Sequence, residues 1–219
     1  MTVHVPLPNT RTVDQLSTNA PTESDDCTVC ASLTVLLDIT HGFVGPRHPS
    51  DDAAWVAWFR RLAGRQYGPL LIRHNVYRAW THPDMKRAFN RRGLAAPDVE
   101  YRYGVTWGTV KDRLQNGWST LLAVDYSVLR QGHAPIGSYS FDGGHLLPLR
   151  HAANDGGRIW TADGDSLLDG RDIPGATPGN YPEAWVQARF ADFREAAGKF
   201  GSPQPGDGRA VVIFVRRHI

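Results

Sequence analysis

Cysteine is scarce in this chain: two residues in 219, Cys27 and Cys30. That excludes a disulfide framework. No apolar run approaches the length needed to cross a bilayer, so no membrane insertion is expected. The opening "MTVHVPLPNTRTVDQ" has no charged stretch followed by an apolar one. No secretion signal is read there, and synthesis in the cytoplasm is the expectation. Excess charge is also missing. A formal net charge of +2 gives no push toward nucleic acid. The nine histidines show no metal-ligand spacing near a second cysteine pair, so neither a metal nor another cofactor is expected. There is no internal repeat.

What the chain does have is 41% apolar residues and seven tryptophans, enough for a substantial core. Residues 1–25 are rich in Pro, Thr, Ser and Asn and carry no period. They are read as an extended or disordered arm. Residues 26–219 form the body. Its first half reads as helical. A helix starts at Asp25 or Asp26, carries Val29, Cys30, Leu33, Leu36 and Leu37 on one face, and ends at His41–Gly42. "PSDDAAWVAWFRRLAG" is a second, capped by Ser50 and stopped by Gly64, with Trp55, Trp58 and Phe59 in the core. "THPDMKRAFNRRG" is a third, with Pro83 near its first position. "TWGTVKDRLQNG" is a fourth, beginning at Thr106. The second half reads as strands: "VEYRYGV", the buried run "STLLAVDYSVL", "GGHLLPLRHA" and "RIWTAD" around the turn "ANDGG", and "AVVIFVRR". "YPEAWVQARFADFREAAG" reads as a further helix. Helices followed by an antiparallel sheet predict an α+β fold.

Cys27 falls in the first turn of the first helix. Unpaired backbone N–H groups and the helix dipole there favour a thiolate. Cys30, one turn further in, lies on the apolar stripe, and its simplest role is a small core residue. A redox couple lacks its strand-then-helix context, and an inert buried Cys27 is the plain alternative. Far downstream, His145 opens a strand straight after two glycines, which permit close approach. With residues 153–157 as the loop, Ala152 pairs with Arg158. Asp165 then stands opposite His145 and Asp163 diagonal to it. A one-residue bulge would change that register, so both carboxylates stay open. A thiol, an imidazole and a carboxylate that orients it are the parts of thiol catalysis.

"DDCTVCASLTVLL", "GGHLLPLR" and "RIWTADGDS", in this order, resemble the papain-like cysteine peptidases of the bacteriocin-leader-processing (double-glycine peptidase) type and their phage and bacterial relatives. In that pattern an Asp-Cys pair opens a helix, a Gly-His begins a strand after a long helical insertion, and an Asp ends the next strand. The resemblance implies a papain-like fold. It also implies Cys27 as nucleophile, His145 as general base and acid, and Asp163 as the orienting group. Thr28–Val29 stands where the family usually has Gly-Pro. The Gln that helps hold the oxyanion has no counterpart at the usual spacing, since Gln15 is too far upstream. Asn19 is one substitute, and the Cys27 backbone N–H acting with another donor is the other. Papain itself uses the second Cys of a C-x-x-C pattern. Cys30 therefore stands as the alternative nucleophile, and Asp165, from the hairpin register, as the alternative carboxylate. Cys27 is favoured, because Cys30 lies on the packing face and lacks the Trp that usually follows. Wall hydrolases of the NlpC and CHAP types place their His closer to the Cys.

The resemblance implies a peptidase or amidase that cleaves an amide bond in a protein or in peptidoglycan. The polar arm motivates a second reading: a papain-like domain built into a larger, virion-associated assembly such as a phage tail tip, with or without wall-degrading activity. "DGDSLLDGRD" lacks the Gly and terminal Glu of a calcium loop and reads as a solvated loop. The basic clusters "RRLAGR", "KRAFNRR" and "VRRH" read as solvated faces.

Overall fold

The computed structural model describes residues 27–40, 52–65, 73–125, 144–152, 158–161, 180–182 and 210–216. The arm at 1–25, the stop at His41–Gly42, the Ser50 cap, the loop at 153–157 and the Asp-rich loop after it lie outside the described residues.

The first helix, α1 (Cys27–Ile39), starts where the Asp-Cys pattern places it. It differs from expectation in its burial. Thr28 to Leu37 are all buried, including Ser32 and Thr34, so the helix has no solvent face along this stretch. A helix apolar almost all round belongs inside a core. Its hydroxyls are accommodated by back-bonding: Ser32 Oγ donates to the Thr28 carbonyl at 2.8 Å, and Thr40 Oγ1 to that of Leu36 at 2.6 Å.

Helix α2 (Asp52–Leu62) packs on α1 and on α3 (Arg73–Trp80). Trp55, Trp58 and Phe59 are in the core as expected, with Trp55 edge-on to Trp58. The basic cluster that follows is not wholly solvated. Arg60 is 1% exposed, while Arg61 and Arg65 face solvent. Helical spacing explains this, because Val56, Phe59, Arg60 and Ala63 share one stripe and all four are buried. Gly64 ends α2 in the left-handed region, at φ +85°. The Arg65 N–H returns to the Arg60 carbonyl and the Gly64 N–H to that of Arg61, which satisfies two terminal acceptors. Gly93 (φ +69°) closes α4 (Pro83–Asn90) in the same way, through Leu94 to Phe89 and Gly93 to Asn90.

Helix α3 has no counterpart in the sequence reading. Its stripe is short (Val76, Ala79 and Trp80 buried, Tyr77 half-buried), and charged residues surround it. At the head of α4, Pro83 sits in the first turn as expected. The cap before it is His82, whose Nδ1 accepts the Asp84 N–H at 3.1 Å. Arg87 hydrogen-bonds the exposed Asp84 carboxylate and holds it below the usual carboxylate range.

Among the described residues the sheet has six strands in the order β1-β6-β2-β3-β4-β5, all pairs antiparallel. They are β1 (Asp98–Val105), β2 (Trp118–Asp125), β3 (Gly144–Ala152), β4 (Arg158–Thr161), β5 (Asn180–Pro182) and β6 (Ala210–Arg216). The C-terminal strand β6 is inserted between β1 and β2, and Val212 to Val215 are buried without a break, as a strand covered on both faces requires. Tyr181 and Pro182, read as the start of a helix, belong instead to edge strand β5. An edge tolerates a proline's missing donor. Residues 183–198 of that expected helix lie outside the described residues.

Strand alternation gives the sheet two packed faces. Leu121, Leu146, Ile213 and Val215 join the core around α1, α2 and α3, with Val99 and Tyr101 against it. Thr120, Leu122, Leu149, Val212 and Phe214 have the opposite parity and are also buried. Helix α5 (Trp107–Gln115), capped by Thr106, packs on β2 and β3. The Arg113 guanidinium lies 4.6 Å from the centre of the Trp118 ring.

The expected α+β architecture is thus present: helices first, then an antiparallel sheet. No helix among the described residues is long and apolar enough to cross a membrane.

Candidate active site

Two elements carry the leading candidates. Cys27 is the first residue of α1, and Gly144–His145 are the first two of β3. These two elements pack against each other. The contact is apolar: Leu146, the residue after His145, enters the same core as Val29, Cys30, Leu33 and Leu36. Helix α1 therefore lies over the strand that the Gly-His motif opens, although more than a hundred residues separate the motifs. The positions of the Cys27 and His145 side chains lie outside what is described.

Cys30 is 0% exposed and belongs to the core cluster. That is the packing role expected for it. A thiol with no accessible surface cannot receive a substrate carbonyl without local opening of the helix.

On the other flank, β3 pairs with β2 through Val124–His145, Ala123–Leu146, Leu122–Leu147, Leu121–Pro148 and Thr120–Leu149. Pro148 is unusual in an interior strand because it lacks the ladder donor. It stands opposite Leu121 of β2, and the described pairing with β4 reaches Leu149–Thr161.

The β3–β4 hairpin departs from the expected register at its tip. Ala152 pairs with Ile159, not Arg158, and His151 with Trp160. A bulge between Leu149 and His151 takes up the extra residue, and Leu149 then pairs with Thr161. Past the bulge the pairing is therefore the one the sequence reading used. Asp163, Asp165 and Asn19 themselves lie outside the described residues.

One polar group here was not singled out beforehand. Thr28, next to Cys27, is 6% exposed, and its Oγ1 meets no hydrogen-bond partner among the described residues. A buried hydroxyl left unsatisfied costs about 1–3 kcal/mol. Its sequence signal was the β-branched hydroxyl standing where the resembled family has glycine.

No protein-family model matches the chain, and no curated protein matches its sequence.

Proposed function

We propose that the chain is a papain-like cysteine hydrolase that cleaves an amide bond in a protein or in peptidoglycan. The observation that carries this reading is the packing of α1, which Cys27 opens, on β3, which Gly144–His145 open. Apolar burial of the first helix between α2, α3 and the sheet makes that juxtaposition rigid. The burial of Cys30 leaves Cys27 as the cysteine at a helix start, where the dipole favours a thiolate.

In this mechanism the Cys27 thiolate attacks the carbonyl carbon and a tetrahedral oxyanion forms near the first turn of α1. The His145 imidazolium protonates the leaving amine. The neutral imidazole then takes a proton from water, which attacks the thioester and releases the acid. Asp163, with Asp165 as its rival, orients the imidazole.

The test is a double-mutant series on cleavage of cell-wall fragments and of a peptide library. Cys27→Ala and His145→Ala each abolish turnover, and the double mutant is no worse than either, because the pair acts as one unit. Additive partial losses would contradict the mechanism.

A further inference from the structure

We propose that the exposed face formed by the end of α2, Arg78 of α3 and one stripe of α4 binds the phosphate backbone of double-stranded nucleic acid, without reading its sequence.

The chain's balanced charge hides a segregation. Residues 52–94 carry nine Arg or Lys and two Asp, while the rest of the chain carries 15 Arg or Lys and 20 Asp or Glu. Such asymmetry within one chain favours a polyanionic partner for its basic part. Eight of the nine cations are Arg, whose planar guanidinium meets a phosphate with two parallel N–H donors.

The fold brings several of these cations together. Gly64 closes α2, and a Cβ there would stand 3.2 Å from an Arg78 guanidinium nitrogen. Arg78 of α3 therefore lies against the turn that Arg61 and Arg65 flank. Arg87 foremost, then His82 and Arg61, draw down the Asp84 carboxyl, which sets Arg61 near the head of α4. Asp84, Arg87 and Arg91 follow one another along a single helical stripe, Arg91 keeping helical backbone angles as the cap residue. Arg61, Arg65, Arg78, Arg87 and Arg91 are all exposed. Asp84 is taken up by Arg87. Among the described residues no acid forms an ion pair with Arg61, Arg65, Arg78 or Arg91. Like charges gathered on one surface repel, and a bound polyanion offsets that repulsion.

The surroundings select the polyanion. An interfacial helix sets apolar side chains into an anionic membrane beside its cations. Here Trp55, Trp58, Phe59, Trp80 and Phe89 are buried, and Tyr77 packs against Tyr101. The same lack of free rings disfavours a single strand, whose bases are held by stacking on aromatic side chains. A duplex asks only for phosphate contacts and offers about one charge per 1.7 Å of its axis.

Fluorescence anisotropy of a labelled duplex of about 20 base pairs, titrated with the full chain, tests this. Binding should weaken at least about tenfold between about 50 and about 200 mM salt, through counterion release. Arg61→Gln/Arg91→Gln should lower the affinity at least about fivefold at about 100 mM salt and reduce the salt slope by about two contacts. Its melting temperature should match wild type, since both side chains are exposed. Arg61→Lys/Arg91→Lys, which keeps the charge, should bind within about threefold of wild type. Arg102→Gln/Lys111→Gln removes the same charge from the α5 side of the sheet, where Arg102 pairs with Glu100 and Glu100 with Arg113. That control should stay within about twofold of wild type, being screened from the proposed face.

Equal losses in the two Gln pairs would reduce the effect to net charge and overturn the proposal. So would a wild-type chain that leaves the duplex unbound at about 50 mM salt. Binding of phosphatidylserine vesicles without binding of the duplex would assign the face to a membrane, and tighter binding of a single strand would also contradict the proposal. No catalytic readout enters, so failure of the Cys27 mechanism would leave this result untouched.

Discussion

Val124 of β2 is paired with His145 of β3. By pleat parity this pair is in line with Leu122–Leu147 and Thr120–Leu149, one step away from Leu146, which enters the core around α1. Pairing continues to Asp125–Gly144, so the proposed mechanism requires the imidazole to reach the α1 side against this alternation. The pH profile of Cys27 alkylation tests this. With His145 as partner, the wild-type rate should stay high well below pH 7, because an imidazolium holds the thiolate. In His145→Ala the imidazolium's contribution is gone, so the rate at acidic pH should fall well below wild type. Identical profiles in the two proteins would mean that the pleat persists and the pair does not form.

The carboxylate assignment is separable from the rest. Asp163→Asn should leave partial activity, because an orienting group takes no proton. Asp165→Asn should leave turnover near wild type. The hairpin pairing read from the sequence sets Asp165 across from His145. Turnover of both variants on one substrate decides between them: a silent Asp163→Asn beside a damaged Asp165→Asn would follow the hairpin and discard the family pattern at that position.

His82 is a helix cap and should behave as one. His82→Ala leaves the Asp84 N–H without its acceptor, and losing an N-cap costs about 1 kcal/mol. In a chain of this size that lowers the melting temperature by about 2–4 °C. His82→Asn, which offers an acceptor of similar reach, should recover most of the loss. Thermal unfolding of the three proteins is the measurement, and equal melting points would show that the cap contributes nothing.

The elements legible in the sequence were those with a local cause. Gly64 and Pro83 mark helix ends by backbone chemistry and Thr106 by its side-chain cap, and the apolar run before Asp125 announced a buried strand. What escaped had a tertiary cause. Helix α3 is held by a three-residue stripe that gains its worth only from its tertiary neighbours α1, α2 and β1. Tyr181 and Pro182 look like a helix start until β4 offers them an edge. Arg60 reads as solvated by its charge and is buried by its phase on α2. Part of the candidate site was legible in the same way. A cysteine at a helix start and a histidine at a strand start are local facts, and the packing of α1 on β3 joins the two elements. The bulge between Leu149 and His151, which shifts the hairpin register by one residue, has no local signature in "LRHA".

The central claim is that Cys27 is the reactive thiol, and site-resolved mass spectrometry after iodoacetamide treatment of the native protein at neutral pH tests it most directly. Cys27 should be carbamidomethylated at least about tenfold faster than Cys30, because the helix start favours its thiolate and Cys30 reacts only when the core opens. Cys30 is 0% exposed, so its modification should track unfolding. Labelling of Cys30 first, or of neither cysteine until the protein is denatured, would contradict the assignment of Cys27 as nucleophile.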